Sequence, residues 1–510
     1  MRPLIPSFLA WILCAGPALA TGDAGKILMD TWEIAFLGDG KAGHVRTTAR
    51  EYEADGVKLI RTTVELRLRV KRFSDIVEMA MDTGTIETAD GTVTAVFMKQ
   101  YLGKQQRLQV EGTVVGKLLR LTLNGKTPLK PAPWNSDVVG LYKQQTLLKD
   151  RKAKPGEKIS FASFEPTINL VLKTEMVVKG YREVALKGSR EKRKLLLVET
   201  IPQKVDFKRG SDKIDKIQLP ISLTWFDENF EPVKTEVEVP GLGPLVMYRT
   251  TREKALAPAP IAKLTDIGIS QLVRLKNRIL KPYETAAARY RVTIRNDDDP
   301  ASTFSRDDRQ QVKNVQGNTF ELHVKASNLA GGGKEKNAPD AEFLQSSYFI
   351  TSDDAKVMEL SRKAIGEETD PWQKARRIER WVHNNMRVTA QEALATADHV
   401  ARTLEGDCTE YAMLTVAMCR AAKVPSRTAI GLIYADVKGA PCFAFHMWAE
   451  VWVKGRWIPL DATLGKGYVG ATHLKITDHS WHDERTMTPI FPVIRVVGRV
   501  SIEVLGAENR

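Results

Sequence analysis

The most regular feature of the sequence is an alternation of apolar and charged residues. In the run Val64-Glu65-Leu66-Arg67-Leu68-Arg69-Val70-Lys71 every second residue is apolar, which is typical of a strand with one buried face. Similar runs recur up to residue 255, separated by turn signals such as Asn124-Gly125. The pattern predicts a β-rich domain over residues 21–255: a large antiparallel sheet with one face in solvent, curled or closed so that its edges are covered.

Two composition changes divide the rest of the chain. The stretch Ala255-Leu256-Ala257-Pro258-Ala259-Pro260 marks a boundary, and strand patterns such as Tyr290-Arg291-Val292-Thr293-Ile294 follow it. Glycines 331–333 indicate a flexible link. We therefore expect a second β-rich segment with a linker at residues 256–335, a further domain at 340–490, and a C-terminal strand segment at 491–510.

The hydrophobic period becomes helical at about residue 350. Asp370 is an N-cap candidate before Pro371, and apolar residues follow at helical spacing. They are Trp372, Ala375, Ile378, Trp381 and Val382. The pattern predicts a core-facing helix, and the fold class is α+β, with the antiparallel sheet preceding a helix-containing domain.

Composition and charge limit the function. The 510 residues are 43% hydrophobic and 27% charged, which indicates a globular protein of several domains. The net charge of +14 favours contact with an anionic surface. Its basic residues are spread along the chain without interleaved aromatics, which argues against nucleic-acid binding.

The first twenty residues, MRPLIPSFLAWILCAGPALA, resemble a cleavable signal peptide that ends at Ala18-Leu19-Ala20. The mature chain then begins near Thr21, and a retained N-terminal anchor is the alternative. Since no later segment is apolar over the ~20 residues that a membrane span needs, we expect an exported protein, periplasmic or extracellular. Removing the signal leaves three cysteines, Cys408, Cys419 and Cys442. Because the number is odd, at least one of them has no partner for an intramolecular disulfide, and a disulfide between Cys419 and Cys442 remains geometrically possible.

Residues 404–465 carry the candidate chemistry. Asp407 and Glu410 form a capping pattern, so a helix is expected to begin at Cys408 and continue into the apolar run that contains Cys419. In the first turn of a helix the dipole and the free N–H groups favour a thiolate, the nucleophilic form of cysteine. Cys419, in mid-helix, has the position of a structural cysteine.

Two extended runs then place His446 and Asp461 on neighbouring strands of a hairpin with a turn at Gly455. The order Cys, His, Asp is that of a nucleophile, its general base and the group that orients the base. A simple turn would set Asp461 opposite Ala449 or Glu450, so we expect contact with His446 to require a bulge or a displaced register.

The sequences GDCTEYA, CRAAKVPSR and HMWAEVWVKGRWIPLDAT resemble the core of the transglutaminase-like superfamily, a circularly rearranged relative of papain. The resemblance covers about residues 345–490, although Met447 stands where many relatives have alanine. It implies a papain-like core with a catalytic triad of Cys408, His446 and Asp461. The order of β-rich segments before this core also resembles that of bacterial envelope proteins.

The resemblance implies acyl transfer on a peptide or protein substrate. A Cys408 thioester would be resolved by water, as in a protease or amidase, or by an amine, as in protein crosslinking. The backbone N–H of Cys408 is the one oxyanion donor that can be proposed. The alternative is a binding or scaffold protein that keeps the fold without catalysis. No cofactor and no metal are expected.

Neighbouring residues have less specific interpretations. Trp448, Trp452 and Trp457 line a substrate groove or, more simply, pack across strands. Glu450 contacts an amine substrate or, as we expect, forms a surface ion pair. One group has metal-ligand residue types but the spacing of no standard site: His473, His479, His482, Asp478 and Asp483.

Overall fold

The computed structural model describes residues 25–72, 75–102, 106–125, 127–209, 213–239, 243–327, 339–389, 394–482 and 488–509. The signal segment predicted at residues 1–20 and the glycine-rich link lie outside these ranges. Within them, no helix has both the length and the apolar character needed to cross a bilayer.

The strands are β1 (Lys26–Leu37), β2 (Gly40–Ala54), β3 (Val57–Arg72), β4 (Asp75–Thr88), β5 (Val93–Leu102), β6 (Gln106–Val115), β7 (Leu118–Leu123), β8 (Thr127–Pro128), β9 (Ala132–Pro133), β10 (Lys158–Glu165), β11 (Leu170–Ala185), β12 (Lys192–Pro202), β13 (Val205–Arg209), β14 (Lys213–Ile217), β15 (Ser222–Phe226), β16 (Pro232–Val239), β17 (Gly243–Thr250), β18 (Val273–Arg274), β19 (Thr285–Ile294), β20 (Gln310–Gln316), β21 (Thr319–Lys325), β22 (Arg387–Val388), β23 (Glu405–Gly406), β24 (Ser426–Val437), β25 (Ala440–Val453), β26 (Arg456–Leu460), β27 (His473–His479) and β28 (Val500–Asn509).

The α-helices are α1 (Leu141–Arg151), α2 (Arg252–Leu256), α3 (Ile267–Ser270), α4 (Ala355–Ile365), α5 (Pro371–Asn385), α6 (Ala397–Thr403) and α7 (Cys408–Ala421). Short 3-10 helices lie at Ile261–Lys263, Pro282–Glu284, Pro300–Ser302, Ala341–Phe343 and Thr488–Arg495.

One large sheet forms the N-terminal part of the described chain. Its strands pair antiparallel in the order β10-β11-β12-β15-β16-β17-β1-β2-β3-β4-β5-β6-β7-β8, with β9 also on β7. In β3 the alternation predicted from the sequence buries Leu68 and Val70 and leaves Arg67 and Arg69 partly exposed. The segment after β9 returns to the other end of the sheet, where the Val139 N–H donates to the Ala162 carbonyl of β10 at 2.8 Å. The antiparallel β-rich N-terminal region is therefore confirmed.

A smaller antiparallel sheet follows, in the order β20-β21-β19-β28. The C-terminal strand thus pairs with β19, more than 200 residues earlier in the chain. The buried side chains of this four-stranded sheet, among them Tyr290 and Phe320, share one apolar cluster with Leu432 and Phe443 of β24 and β25. The smaller sheet is packed directly against the part of the chain that carries the candidate site.

A five-stranded sheet has the order β18-β25-β24-β27, with β26 on β25, and α4 to α7 contribute to one buried cluster with it. Two two-stranded sheets, β13-β14 and β22-β23, complete the pairing of the described strands. Helix α5 has the predicted Asp370 N-cap, whose side chain accepts from the Gln373 N–H. Trp372, Ile378 and Val382 are buried as predicted, and Trp381 packs at the edge of the cluster. The sheets and helices together confirm the α+β class.

Candidate active site

The local structure around Cys408 follows from its helix cap. Helix α7 begins at Cys408, and the Asp407 side chain accepts from the Thr409 N–H at 2.8 Å. Glu410 Oε2 accepts from the Asp407 N–H at 2.9 Å, which completes the predicted capping box. Cys408 is partly exposed, whereas α7 is buried from Glu410 to Arg420. A thiol therefore lies at the positive end of a helix whose remaining length is fixed in the core.

His446 lies in the middle of β25, and Asp461 follows directly after β26. Strand pairing puts Leu460 opposite Ala449 and Arg456 opposite Val453, so Asp461 continues the register towards Trp448. Residues 446 and 448 point to the same face of the sheet, and Asp461 reaches its diagonal neighbour. His446 Nε2 donates to Asp461 Oδ2 at 2.8 Å. The expected bulge is absent, because β25 and β26 pair regularly. The register is displaced by one residue from the one expected, so Asp461 falls opposite Trp448 and a diagonal contact with His446 is sufficient.

His446 interacts with both of the other predicted residues. Burial lowers the pKa of His446, but the charges of Asp461 and Cys408, and a hydrogen bond with each, raise it well above its usual value. Because Nε2 is taken by Asp461, Nδ1 is the nitrogen left for the sulfur. The arrangement favours the protonated, imidazolium form of His446.

Asp461 has a second histidine partner, His473, which the sequence indicated only as a possible metal ligand. His473 Nε2 lies 2.9 Å from the same Oδ2, and Oδ1 accepts from the Thr463 N–H at 3.0 Å and the Thr463 hydroxyl at 2.6 Å. Burial raises the pKa of Asp461, but the charge of His446 and hydrogen bonds from both histidines hold it far below the usual range. Burial lowers the pKa of His473, so this ring is neutral and donates its Nε2 hydrogen.

Trp448 packs against both histidines. Its ring stacks on His446 at a centroid distance of 6.3 Å and meets His473 edge-on at 5.4 Å. It is only 1% exposed, so it is too deep to line an open groove. Trp452 and Trp457 pack edge to face at 5.5 Å, which agrees with the simpler interpretation as cross-strand packing.

This arrangement contains one set of side chains with metal-ligand chemistry. Ligand atoms of His446, Asp461 and His473 lie within 4.8 Å of one another, and two imidazoles with a carboxylate suit Zn²⁺ or a similar ion. Both histidine Nε2 atoms are already hydrogen-bonded to Asp461 Oδ2. A metal ion here would have to replace both hydrogen bonds.

Within the described residues, the histidines and aspartates of positions 473–482, which have metal-ligand residue types, do not form one site. His473 belongs to the Asp461 cluster, while His479 Nδ1 accepts from the Trp481 N–H at 2.8 Å. Burial lowers the pKa of His479 to about 4. Asp478 is bonded to Arg427 at 2.7 Å and to Lys475 at 3.3 Å, and Asp483 lies outside the described residues.

Comparison with known protein families identifies this part of the chain. The family model of the transglutaminase-like superfamily matches residues 358–462, a range that contains Cys408, His446 and Asp461. Residues 358–462 are a transglutaminase-like core. The resemblance seen in the three sequence motifs is thereby confirmed.

Solved structures give partial likenesses. A candidate cysteine protease from Cytophaga hutchinsonii is 18% identical, with 42% of this chain and 83% of that chain covered and a TM-score of 0.29. A β-barrel-like protein of unknown function from Brucella abortus is 11% identical, with coverages of 44% and 95% and a TM-score of 0.31. The periplasmic domain of TgpA from Pseudomonas aeruginosa, bound to ethylmercury, is 13% identical, with coverages of 36% and 92% and a TM-score of 0.21.

No match was found among curated proteins. Because the TM-scores of the solved structures are low, the identification of the transglutaminase-like core depends on the family match.

The other cysteines of the described chain are free thiols. Cys419 lies within the buried length of α7, where burial raises the pKa of its thiol to about 12. Cys442 on β25 is also buried and free, so the Cys419–Cys442 disulfide left open by the sequence is not formed. Cys408 is the one of the three with a partly exposed side chain.

Glu450 is not the surface residue that we expected. It is 1% exposed and lies between Arg427, at 2.8 Å, and Lys475, at 3.1 Å. Its position opposite Arg427 on β24 was not readable from the sequence, because that pairing depends on how the strands meet. Glu450 therefore belongs to a buried ionic cluster of the transglutaminase-like core.

Proposed function

We propose that the chain is an exported cysteine enzyme that transfers acyl groups from peptide or carboxamide bonds through a thioester on Cys408. The observation that carries the proposal is the double contact of His446, which hydrogen-bonds Asp461 on one side and interacts with Cys408 on the other. In this proposal Cys408 is the nucleophile, His446 the proton donor and acceptor, and Asp461 the group that orients His446.

The first half of the reaction forms the thioester. The Cys408 thiolate attacks the carbonyl carbon, and the carbonyl electron pair moves to oxygen. As the oxyanion collapses, the carbon–nitrogen bond breaks and His446 gives its Nδ1 proton to the leaving ammonia or amine. Asp461 keeps the Nε2 hydrogen engaged throughout, so that the ring presents Nδ1 to the sulfur.

In the second half, His446 takes a proton from the incoming water or amine, whose oxygen or nitrogen attacks the thioester carbon. The carbon–sulfur bond then breaks and the thiolate is restored. Water gives a carboxylic acid, and an amine gives a new amide. We favour hydrolysis, because selecting an amine over water requires a closed site that excludes solvent, and Cys408 is partly exposed.

The oxyanion needs hydrogen-bond donors near the sulfur. The backbone N–H of Cys408 is at the first position of α7 and has no carbonyl partner within its helix. We assign this N–H as an oxyanion donor.

Export and surface contact are the remaining parts of the proposal. The signal-like residues 1–20 support export, with a retained anchor as the alternative, and the net charge of +14 supports contact with an anionic envelope surface. Binding to vesicles that contain anionic lipid should weaken as salt rises. Binding that is insensitive to salt would contradict the electrostatic contact without affecting the enzymatic proposal.

A thiol-directed activity probe tests the nucleophile. We expect labelling at neutral pH that is lost in Cys408→Ala and kept in Cys419→Ala, the matched control from the same helix. Absence of labelling in the unchanged protein would favour the scaffold alternative.

The reaction type is tested with a library of glutamine-containing peptides, analysed by mass spectrometry with and without a primary amine. Cleaved backbones identify a protease, deamidated glutamine an amidase, and amine adducts a crosslinking enzyme. If every product is absent while Cys408 labels normally, the substrate class proposed here is wrong.

A further inference from the structure

One side chain of the N-terminal sheet reaches the active site. Arg72 is the last residue of β3, and its Nη1 donates to Oδ2 of Asp407, 335 positions later in the sequence. The Arg72 side chain is 34% exposed and that of Asp407 is 13% exposed. The ion pair is thus partly sheltered, and solvent screens it less than a pair on the open surface.

Each polar group of Asp407 has a separate partner. Oδ1 accepts from the Thr409 N–H and hydroxyl, both at 2.8 Å, the backbone N–H donates to Glu410, and Oδ2 accepts from Arg72. Asp407 directly precedes Cys408, so any rotation of its side chain disturbs the first turn of α7 at the sulfur. Arg72 holds Oδ2, the carboxylate oxygen of Asp407 that does not take part in the helix cap.

The charges around Cys408 give Arg72 a second role. Burial and the charge of Asp407 raise the pKa of Glu410 to about 8, so this group is largely uncharged at neutral pH. Burial also raises the pKa of Asp407, but Arg72 and the hydrogen bonds from Thr409 outweigh it and keep Asp407 ionised. A carboxylate next to a sulfur disfavours the thiolate.

Arg72 supplies the opposite charge at this point. Burial lowers its pKa, but the charge of Asp407 and the hydrogen bond with it raise it further, so the guanidinium stays protonated. His446 also interacts with Cys408, and its contribution is already part of the proposed mechanism.

Other contacts hold the sheet against the rest of the molecule. Leu172 of β11 shares a buried apolar cluster with Phe207 of the separate β13–β14 hairpin, and Phe207 packs on Phe491 at 5.1 Å. The Lys71 N–H donates to the Thr265 carbonyl at 2.9 Å and anchors the end of β3. Replacement of Arg72 should therefore change the site without separating the sheet from the core.

We propose that Arg72 is a positioning residue supplied to the active site by the N-terminal sheet: it holds Asp407 in place and offsets the charge of that carboxylate beside Cys408. The inference rests on the proposed function, because it concerns the same sulfur. It makes the β-rich region a part of the enzyme's site, and the transglutaminase-like core alone lacks this cation.

The test is the rate at which iodoacetamide alkylates Cys408 in the full chain, followed by mass spectrometry of the Cys408 peptide from pH 5 to 10. Arg72→Gln keeps a side chain that can donate to Asp407 but has no charge, and Arg72→Lys restores the charge. Arg46→Ala is the matched control, since it breaks a partly exposed Arg–Asp pair within the same sheet.

We expect Arg72→Gln to move the alkylation midpoint upwards by about one pH unit, with rates about tenfold lower on the acidic side. Arg72→Lys should recover most of this loss, and Arg46→Ala should match the unchanged protein. An unshifted midpoint in Arg72→Gln, with normal labelling of the unchanged protein, overturns the role of Arg72 alone. If Cys408 of the unchanged protein is not alkylated at neutral pH, the proposed function and this inference both fail.

Discussion

Asp461 contacts both histidines of the site, because its Oδ2 accepts hydrogen bonds from His446 and His473. His473 is fully buried and its Nε2 lies 2.9 Å from that oxygen. Replacing His473 with leucine removes a hydrogen bond to a charged group, worth about 1.5–3 kcal/mol. Asp461 would then be less firmly held and would support the His446 imidazolium less well.

For His473→Leu we therefore predict an upward shift in the pH midpoint of Cys408 alkylation and a roughly tenfold slower reaction at pH 6. His473→Gln is the control, since its amide nitrogen reaches a similar position and can donate. Equal profiles for the leucine variant and the unchanged protein would show that His473 is only a packing residue.

The raised pKa of His446 also makes a prediction about stability. A base whose pKa is raised in the folded state contributes its full stability below its unfolded value of about 6.5, and this contribution is lost as pH rises through the folded value. Asp461 is the main group that raises the pKa of His446 against the effect of burial. The advantage of the unchanged protein over Asp461→Asn in free energy of unfolding should be larger at pH 6 than at pH 10.

Urea unfolding at the two pH values measures this difference. Asp436→Asn is a suitable control because Asp436 forms a partly exposed pair with Arg278 and should change little at either pH. A difference for Asp461→Asn that grows towards pH 10 would contradict the assigned charges.

At the scale of single elements, the first turn of α7 depends on Glu410. This side chain is buried and accepts two backbone hydrogens, from Ala395 at 3.0 Å and from Asp407 at 2.9 Å. A glutamine has only one oxygen, so Glu410→Gln places an N–H donor against one of these backbone donors.

We predict that Glu410→Gln lowers the free energy of unfolding by about 1–3 kcal/mol at pH 9, where the carboxyl of Glu410 is ionised, measured by urea titration. Glu359→Gln is the control: its carboxylate pairs with Lys356 on the exposed face of α4, so the change should be much smaller than that of Glu410→Gln. Equal losses in the two variants would mean that the cap of α7 does not depend on both oxygens of Glu410.

Features of α5 and α7 that depend on nearby residues could be predicted from the sequence. The capping box of α7 and the amphipathic stripe of α5 depend on residues three or four positions apart, so both were predictable. The contact of His446 with Asp461 was predicted, but the predicted strand register was wrong. The two-residue turn at Lys454-Gly455 places Asp461 opposite Trp448, one residue from the expected Ala449.

His473 and Arg72 could not be found in this way. His473 enters the site because β27 pairs with β24 through a register shift, and no local period specifies which strands become neighbours. Arg72 contacts Asp407 from a different sheet. Both depend on packing between distant parts of the chain, and each has an ordinary appearance in sequence: a histidine at the start of a strand and an arginine at the end of one.

At the scale of the whole molecule, a buried lysine joins the second β-rich segment to the transglutaminase-like core. Lys475 is 2% exposed and contacts Asp307 at 2.6 Å, Glu450 at 3.1 Å and Asp478 at 3.3 Å. Asp307 precedes β20, whereas the other two carboxylates belong to the sheet of the core. Arg427 also bonds Glu450 and Asp478, so the cluster is a network rather than an isolated pair.

Lys475→Met keeps the length of the side chain and removes its charge. Asp307 then loses its nearest cation, and among the described residues Arg427 alone remains to pair with Glu450 and Asp478. We predict a loss of about 3–5 kcal/mol in the free energy of unfolding at pH 8, because an uncompensated buried carboxylate is costly. Protonation of these carboxylates relieves the charge, so the loss should shrink at pH 5. Lys356→Met on exposed α4 is the control, with little change at either pH. Urea unfolding at both pH values checks the prediction; a loss below about 1 kcal/mol at pH 8 would mean that apolar packing alone holds the two sheets together.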